Sequence, residues 1–209
     1  MYRVKELYLT LQGEGARTGR PAVFCRFAGC NLWSGHERDR ATAACCFCDT
    51  DFVGTDGPGG GRFIGARTLA LAIAAAWRPD GWTNPYVVFT GGEPLLQLDA
   101  ALVDECHRAG FEVAIETNGT LPVPPGVDWI CVSPKPKSEW ILRTGHELKL
   151  VYPMEVRPEG LEQLPFEQFF LQPLDGPDLE RNTRLVEAYC RAHPRWKVSL
   201  QTHKLLGIP

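Results

Sequence analysis

Eight cysteines are spread unevenly over the 209 residues, and five of them, Cys25, Cys30, Cys45, Cys46 and Cys48, fall within 24 positions. Fourteen residues separate Cys30 from Cys45 and two separate Cys45 from Cys48, which runs straight into Asp49-Thr50. Three thiolates in one loop can hold three irons of a cubane cluster, leaving the fourth iron open to a substrate or cofactor. The same loop could instead hold a structural zinc through those thiolates and His36 or Cys46. Cys106, Cys131 and Cys190 lie in apolar helix or strand patterns and read as buried small hydrophobes. A chain of this length has no need of a disulfide framework, which belongs mainly to small secreted domains.

A second group of polar residues closes a series of apolar runs. Tyr86 to Phe89 ends in Thr90-Gly91-Gly92-Glu93-Pro94. Glu116-Thr117-Asn118-Gly119, Ser133-Pro134-Lys135 and Gln172-Pro173 each follow a run of the same kind. The carboxyl ends of parallel strands are where α/β proteins bind ligands, and glycines there let backbone approach a ligand closely. Taken singly, each of these segments also reads as a capped turn.

The elements that must carry these groups can be read from periodicity. Strands are expected over Val4 to Leu11, Val23 to Phe27, Tyr86 to Thr90, Phe111 to Thr117, Trp129 to Ser133, Glu147 to Tyr152, Gln168 to Gln172 and Trp196 to Gln201. Helical spacing occurs in three places: Arg67 to Trp77, Leu98 to Ala109 before Gly110, and from Asp178 to His193. Other connections, such as Asn118 to Asp128 with its three prolines, are too short and broken for a helix of normal length. The expectation is therefore an α/β fold, a partial, open (β/α) barrel of about six parallel strands with few helices, since a complete eightfold barrel needs about 250 residues. A doubly wound sheet is the alternative. Gly54 to Gly65, with seven Gly or Pro in twelve residues, reads as a mobile loop.

Composition sets the limits. With 44% hydrophobic and 22% charged residues the chain is an ordinary globular one, and its length suits a single domain over 1-209. The net charge of −3 implies no polyanion-binding surface, so no nucleic-acid partner is expected. Charges interrupt the first residues, Met-Tyr-Arg-Val-Lys-Glu, and the longest strongly apolar run, Leu69 to Trp77, is far too short for a bilayer span. A soluble, cytoplasmic protein with no membrane association is expected.

The cysteine run, with a polar insertion from Ser34 to Ala44 between its first two cysteines, resembles the cluster motif of the radical S-adenosylmethionine superfamily. Thr90 to Pro94 is similar to the glycine-glycine-glutamate motif by which that superfamily holds the methionine amino group. The two motifs together displace the zinc reading. The resemblance implies a 4Fe-4S cluster on Cys30, Cys45 and Cys48 but not Cys46, within a cluster loop at 28-54. It also implies cofactor contacts from Thr90, Gly91, Gly92, Glu93, Glu116, Ser133, Lys135 and Gln172.

Both ends of the chain narrow the resemblance. Gln12-Gly13-Glu14-Gly15, Gly19-Arg20-Pro21, Phe24 to Cys30 and the terminal Ser199 to Pro209 closely resemble the 7-carboxy-7-deazaguanine synthase family of the deazapurine and queuosine pathway. The first cysteine gap departs from the more common spacing of three residues. The resemblance implies conversion of 6-carboxy-5,6,7,8-tetrahydropterin to 7-carboxy-7-deazaguanine, with hydrogen abstraction at carbon 6, ring contraction and loss of ammonia. It makes Gln12, Glu14, Arg26, Gly92, His203 and Pro209 substrate contacts, with the C-terminal segment 199-209 part of the site, and Thr50 a ligand to Mg²⁺. A carboxylate such as Glu14 suits the guanidine-like donor edge of a pterin, and Arg26 suits its carboxylate. The Pro209 carboxylate is expected to touch substrate. A flavodoxin- or ferredoxin-type reductant and a homodimer complete the implied picture. The rival readings are a glycyl-radical activating enzyme, whose substrate groove would not need the terminal Gln-Thr-His-Lys segment, and a non-catalytic iron-sulfur or zinc binding module.

Overall fold

The computed structural model describes residues 1–78 and 82–209. Among them the apolar runs form β1 (Tyr2–Leu11), β2 (Pro21–Phe27), β3 (Gly61–Phe63), β4 (Tyr86–Gly91), β5 (Glu112–Thr117), β6 (Trp129–Val132), β7 (Gly145–Tyr152), β8 (Phe166–Pro173) and β9 (Trp196–Val198). All nine join one sheet in the order β3-β1-β2-β4-β5-β6-β7-β8-β9. The seven strands from β2 to β9 in that order are mutually parallel, and β1 runs antiparallel to both β2 and β3. The sheet ends at β3 and β9 without closing, so the open barrel has one more parallel strand than the sequence suggested.

Helices cover the outer face. α1 (Ala66–Ala76) buries Leu69, Ala70 and Ile73, and α2 (Ala100–Arg108) buries Leu102, Val103 and Cys106. The Asp99 carboxylate caps α2 by accepting from Leu102 N at 2.9 Å, and Gly110, with φ +83°, lets the chain turn out after it. These helices pack on Val23, Cys25 and Phe27 of β2 and on Val87, Phe89, Val113 and Ile115 of β4 and β5. α3 (Leu179–Ala192) covers a second core built on Leu148, Leu150, Phe169 and Leu171, with Val186 and Trp196. Each fully buried side chain of this size contributes about 1.5–3 kcal/mol. Among the described residues no helix is long and apolar enough to cross a membrane.

Strand parity determines what faces inward. With Val23, Cys25 and Phe27 outward, Arg26 must face the concave side, and the same alternation turns Thr90 of β4 and Glu116 of β5 inward. The lower part of the concave side is filled by Ala22, Tyr86, Val88 and Ala114. Beneath it Arg20 lies 3.8 Å from the Tyr86 ring centre and Arg17 4.2 Å from that of Trp129, and both pair with Glu112. The amino-end mouth is thereby plugged, leaving the carboxyl end for ligands.

Two local expectations need correction. Gly54 to Gly65 is a strap laid along β1, not a mobile loop: Leu7 N donates to Pro58 O, Gly57 N donates to Lys5 O, and Gly61–Phe63 adds the edge strand β3. A Cβ on Gly60 would lie 2.2 Å from Lys5 O, so its glycine serves close backbone approach. At the other end, β9 stops at Val198, short of the expected Gln201. Ser199 N donates to Leu171 O, and the chain then turns into the short helix α4 (Thr202–Leu206).

Candidate active site

A cleft of about 450 Å³ opens at the carboxyl ends of the parallel strands, within the size range of small-molecule sites. Of the site residues that the resemblance implies, all but Glu93 line it.

The cluster loop forms one wall. Cys45 is buried, Cys30 and Cys48 are partly exposed, and Cys46 points to solvent. The Cys45 thiol hydrogen-bonds to Cys48 and holds the Cys48 pKa well below the usual thiol value, while the same contact, together with burial, pushes Cys45 up. Burial raises Cys30. The insertion folds into a 3-10 turn at Glu37–Thr42, and Arg40 donates to the carbonyl oxygens of Cys46 and Cys48, each at 3.0 Å. Arg40 also lies 4.1 Å from the Trp33 ring centre, and Trp33 meets Phe52 edge-on. Among the described residues no three His, Cys, Asp or Glu side chains converge on a single ion.

Beside the cysteines lies the end of β4. Gly91 has φ +143°, and a Cβ there would meet Phe27 O at 2.4 Å. One on Gly92 would meet Gly29 O at 2.3 Å and the Cys30 Cβ at 2.5 Å. The glycines therefore let the strand end abut the cluster loop, while Thr90 lines the cleft. Glu93 differs from its neighbours. It is fully buried beneath the cleft, where its carboxylate accepts from Leu95 N (3.0 Å), Thr117 Oγ1 (2.7 Å) and Asn118 N (2.8 Å). It supports the site and does not line it. Asn118 in turn donates to Asn31 Oδ1 at 3.0 Å, tying the end of β5 to the residue after Cys30. Lys135 Nζ donates to Ser133 Oγ at 2.6 Å on the far side.

The opposite wall is a network of charges and amides. Lys149 Nζ donates to Glu14 Oε2 at 2.6 Å and to Glu116 Oε2 at 3.2 Å. Gln172 Nε2 donates to Glu14 Oε1 at 3.0 Å, and Gln12 Nε2 donates to Glu116 Oε1 at 2.9 Å. Burial opposes the ammonium of Lys149, but Glu116 and Glu14 outweigh it and hold its pKa well above the ordinary lysine value. Burial likewise opposes the Glu14 carboxylate, yet Lys149, His203 and Gln172 together bring its pKa down. Arg26 is engaged by Glu6, Nε to Oε1 at 2.7 Å, and by Tyr8 Oη at 3.2 Å from Nη2.

The end of the chain closes the rim. Thr202 donates from both N and Oγ1 to Gly13 O, and His203 packs so closely that a Cβ on Gly13 would meet its Nδ1 at 2.3 Å. Thr10 Oγ1 donates to Pro209 O at 2.7 Å, and Lys204 Nζ bridges Asp49 (2.6 Å) and Asp175 (2.5 Å). Thr50 lines the cleft on the cluster side.

Lys149, Thr10, Asp49 and Lys204 were not anticipated from the sequence. Lys149 had a readable signal: a charge in the interior of an apolar strand on the same face as Glu147. Thr10 and the Lys204 pairs had none, because their partners are remote in sequence.

An open, mostly parallel sheet whose glycine-ended strand β4 and three cysteines line one cleft is the architecture of a radical S-adenosylmethionine enzyme. No protein-family model matches the chain. The chain is 64% identical over 209 residues to the 7-carboxy-7-deazaguanine synthase of Bordetella pertussis, across 100% of this chain and 99% of that one. It is 62% identical over 208 residues to the synthase of Bradyrhizobium diazoefficiens, across 99% of each. The crystal structure of QueE from Escherichia coli matches with a TM-score of 0.72 and 28% identity, over 95% of this chain and 93% of that one. The chain belongs to the 7-carboxy-7-deazaguanine synthase family.

Proposed function

We propose that the chain converts 6-carboxy-5,6,7,8-tetrahydropterin to 7-carboxy-7-deazaguanine in queuosine biosynthesis. The observation that carries this is the meeting, in one cleft, of three thiols on one wall and an acceptor-rich network closed by the chain's C-terminal segment on the other. A groove for a protein backbone would not need that terminal cover, so the rim favours a small molecule.

Cys30, Cys45 and Cys48 are a fitting donor set for a 4Fe-4S cluster: three thiols line one cleft and would serve three of its four irons, leaving one iron open. When bound, the cluster and S-adenosylmethionine supply the one-electron cleavage that begins hydrogen abstraction. Thr90, Gly91 and Gly92 offer the cofactor a strand end without side-chain obstruction, and Ser133 and Lys135 offer it polar partners. Glu93 acts from below by fixing Thr117 and Asn118. Glu14 accepts from the donor edge of the pterin; Glu116 and Gln172, which the resemblance made cofactor contacts, are bonded here to Gln12 and Glu14, so they are read with the substrate instead, Glu116 as a second acceptor and Gln172 and Gln12 as orienting amides. His203 and Pro209 border that edge, and Thr50 would offer an oxygen ligand to a Mg²⁺, which would supply charge to orient the substrate carboxylate. Arg26 can reach that carboxylate only by sharing its guanidinium with Glu6. A flavodoxin- or ferredoxin-type reductant, a homodimer and a cytoplasmic setting go with this reading.

The test is anaerobic cluster reconstitution followed by reductant, S-adenosylmethionine, Mg²⁺ and the carboxytetrahydropterin. The expected result is deoxyadenosine together with a product of the mass of 7-carboxy-7-deazaguanine. Deoxyadenosine without that product would discard the substrate, and a colourless, inert protein would discard the class.

A further inference from the structure

Lys149 is a charged residue in the middle of an apolar strand, with only 5% of its side chain exposed, and it contacts two carboxylates from different parts of the chain. Glu14 comes from the turn after β1 and Glu116 from the end of β5. We propose that Lys149 is a positioning residue for substrate: its ammonium clamps Glu14 and Glu116 into one fixed, ionised pair of acceptors for an N–H-rich heterocyclic edge. This rests on the substrate reading above.

A carboxylate has about four lone-pair sites. Glu14 uses two, on Lys149 and Gln172, and Glu116 uses two, on Lys149 and Gln12. The remainder can serve a ligand. The amides are themselves held: Gln12 Oε1 accepts from Glu14 N at 3.1 Å, and Gln172 Oε1 accepts from Ser199 Oγ at 3.1 Å. Every oxygen of the pair thus has an imposed direction. Without the ammonium, two buried carboxylates would share the site, and one of them would take up a proton. A protonated carboxyl would present a donor where the ligand also presents donors. Other titratable groups facing the lysine are Cys131 on β6 and Glu147 on β7, with His203 on α4 facing Glu14. None of these is a cation that could replace Lys149 from within the strands.

The experiment compares Lys149→Met, Lys149→Arg and the double variant Lys149→Met with Glu116→Gln, all as full chains with reconstituted cluster. For Lys149→Met, cluster content should stay at the wild-type level while the pterin KM rises about tenfold or more, the factor that about 1.4 kcal/mol of lost binding gives. That KM should climb further between about pH 8 and about pH 6 as an orphaned carboxylate takes up a proton and turns a donor toward the ligand's own donors, whereas the wild-type KM stays level there. Lys149→Arg, which keeps the charge, should restore most of the loss. Melting of the apo chain gives a readout free of any substrate: Lys149→Met should melt lower at about pH 8, with partial recovery at about pH 6 or in the double variant. Should Lys149→Met fail to fold, the double variant must fold and Lys149→Arg must keep a near-native KM. Equal KM increases for Met and Arg at every pH, an unchanged KM for Met, or a double variant that fails to fold would overturn the clamp. If the wild type forms no product, the substrate reading fails and the clamp is decided by the melting arm alone.

Discussion

Glu93, singled out from the sequence as a cofactor contact, is buried beneath the cleft and accepts from Thr117 and Asn118. Burial raises its pKa, against the bonds from Thr117 and Asn118 that favour the charged form. A carboxyl raised on folding contributes stability that is fully present below its unfolded value, near about 4.3, and is lost as pH rises through the folded value. At neutral pH its three donors still need an acceptor. Glu93→Ala is therefore expected to cost about 2–3 kcal/mol in chemical denaturation, with Glu93→Gln clearly milder because its oxygen still accepts. The alanine variant should also retain less cluster, because Asn118 loses its anchor and with it the bond to Asn31 beside Cys30. The cysteines themselves give a simpler contrast. Alanine at Cys30, Cys45 or Cys48 should abolish the brown colour, and alanine at the exposed Cys46 should keep it. Cluster loss in Cys46→Ala with retention in Cys45→Ala would reverse the assignment. Residue types and spacing revealed the thiols and the strand ends because each lies within a short run. Lys149 and Thr10 were illegible in function because their meaning comes from partners 135 and 199 positions away.

The strands were legible because their signals are local: β-branched and aromatic runs end at Gly, Pro or polar residues, and parity then decides which side chains face the cleft. The fold of the insertion in the cluster loop and the course of the glycine strap were not. Seven Gly or Pro in twelve residues look like disorder to any local rule, yet here glycine is needed so that backbone can lie on backbone. Gly60→Ala drives a Cβ toward a carbonyl oxygen of β1 with no flexible side chain to yield, and an overpacked site of this kind should lower stability by about 1–3 kcal/mol, read by thermal melting. Wild-type stability in that variant would mean that the strap does not hold the edge of the sheet. The insertion is held differently. Arg40 ties two carbonyls of the cysteine run and covers Trp33. Replacing it by alanine should speed bleaching of the reconstituted cluster in air while leaving the melting of the apo chain nearly unchanged, and lysine should protect only in part because it lacks the planar fork.

At the scale of the whole molecule, the open barrel leaves one end of its cleft to be closed by the last residues of the chain, and the fastening is ionic. Lys204 reaches Asp49, the residue after Cys48, and Asp175, beyond β8, so a single side chain joins the C-terminal segment to the cluster loop and the far side of the sheet. All three side chains are roughly 40–50% exposed. Pairs of that kind contribute only about 0–1 kcal/mol to stability and weaken with salt. Their value must then lie in where they hold the rim. Lys204→Ala is expected to melt within a few degrees of wild type and keep its cluster, yet to raise the pterin KM about threefold, equivalent to about 0.7 kcal/mol. Salt supplies the sharper reading. Between about 0.05 and about 0.5 M the Debye length falls severalfold, so the wild-type KM should climb toward that of the variant while the variant changes little. Parallel salt dependence in both proteins, or an unchanged KM in Lys204→Ala, would leave the docking of Thr202 on Gly13 as the fastening of the rim.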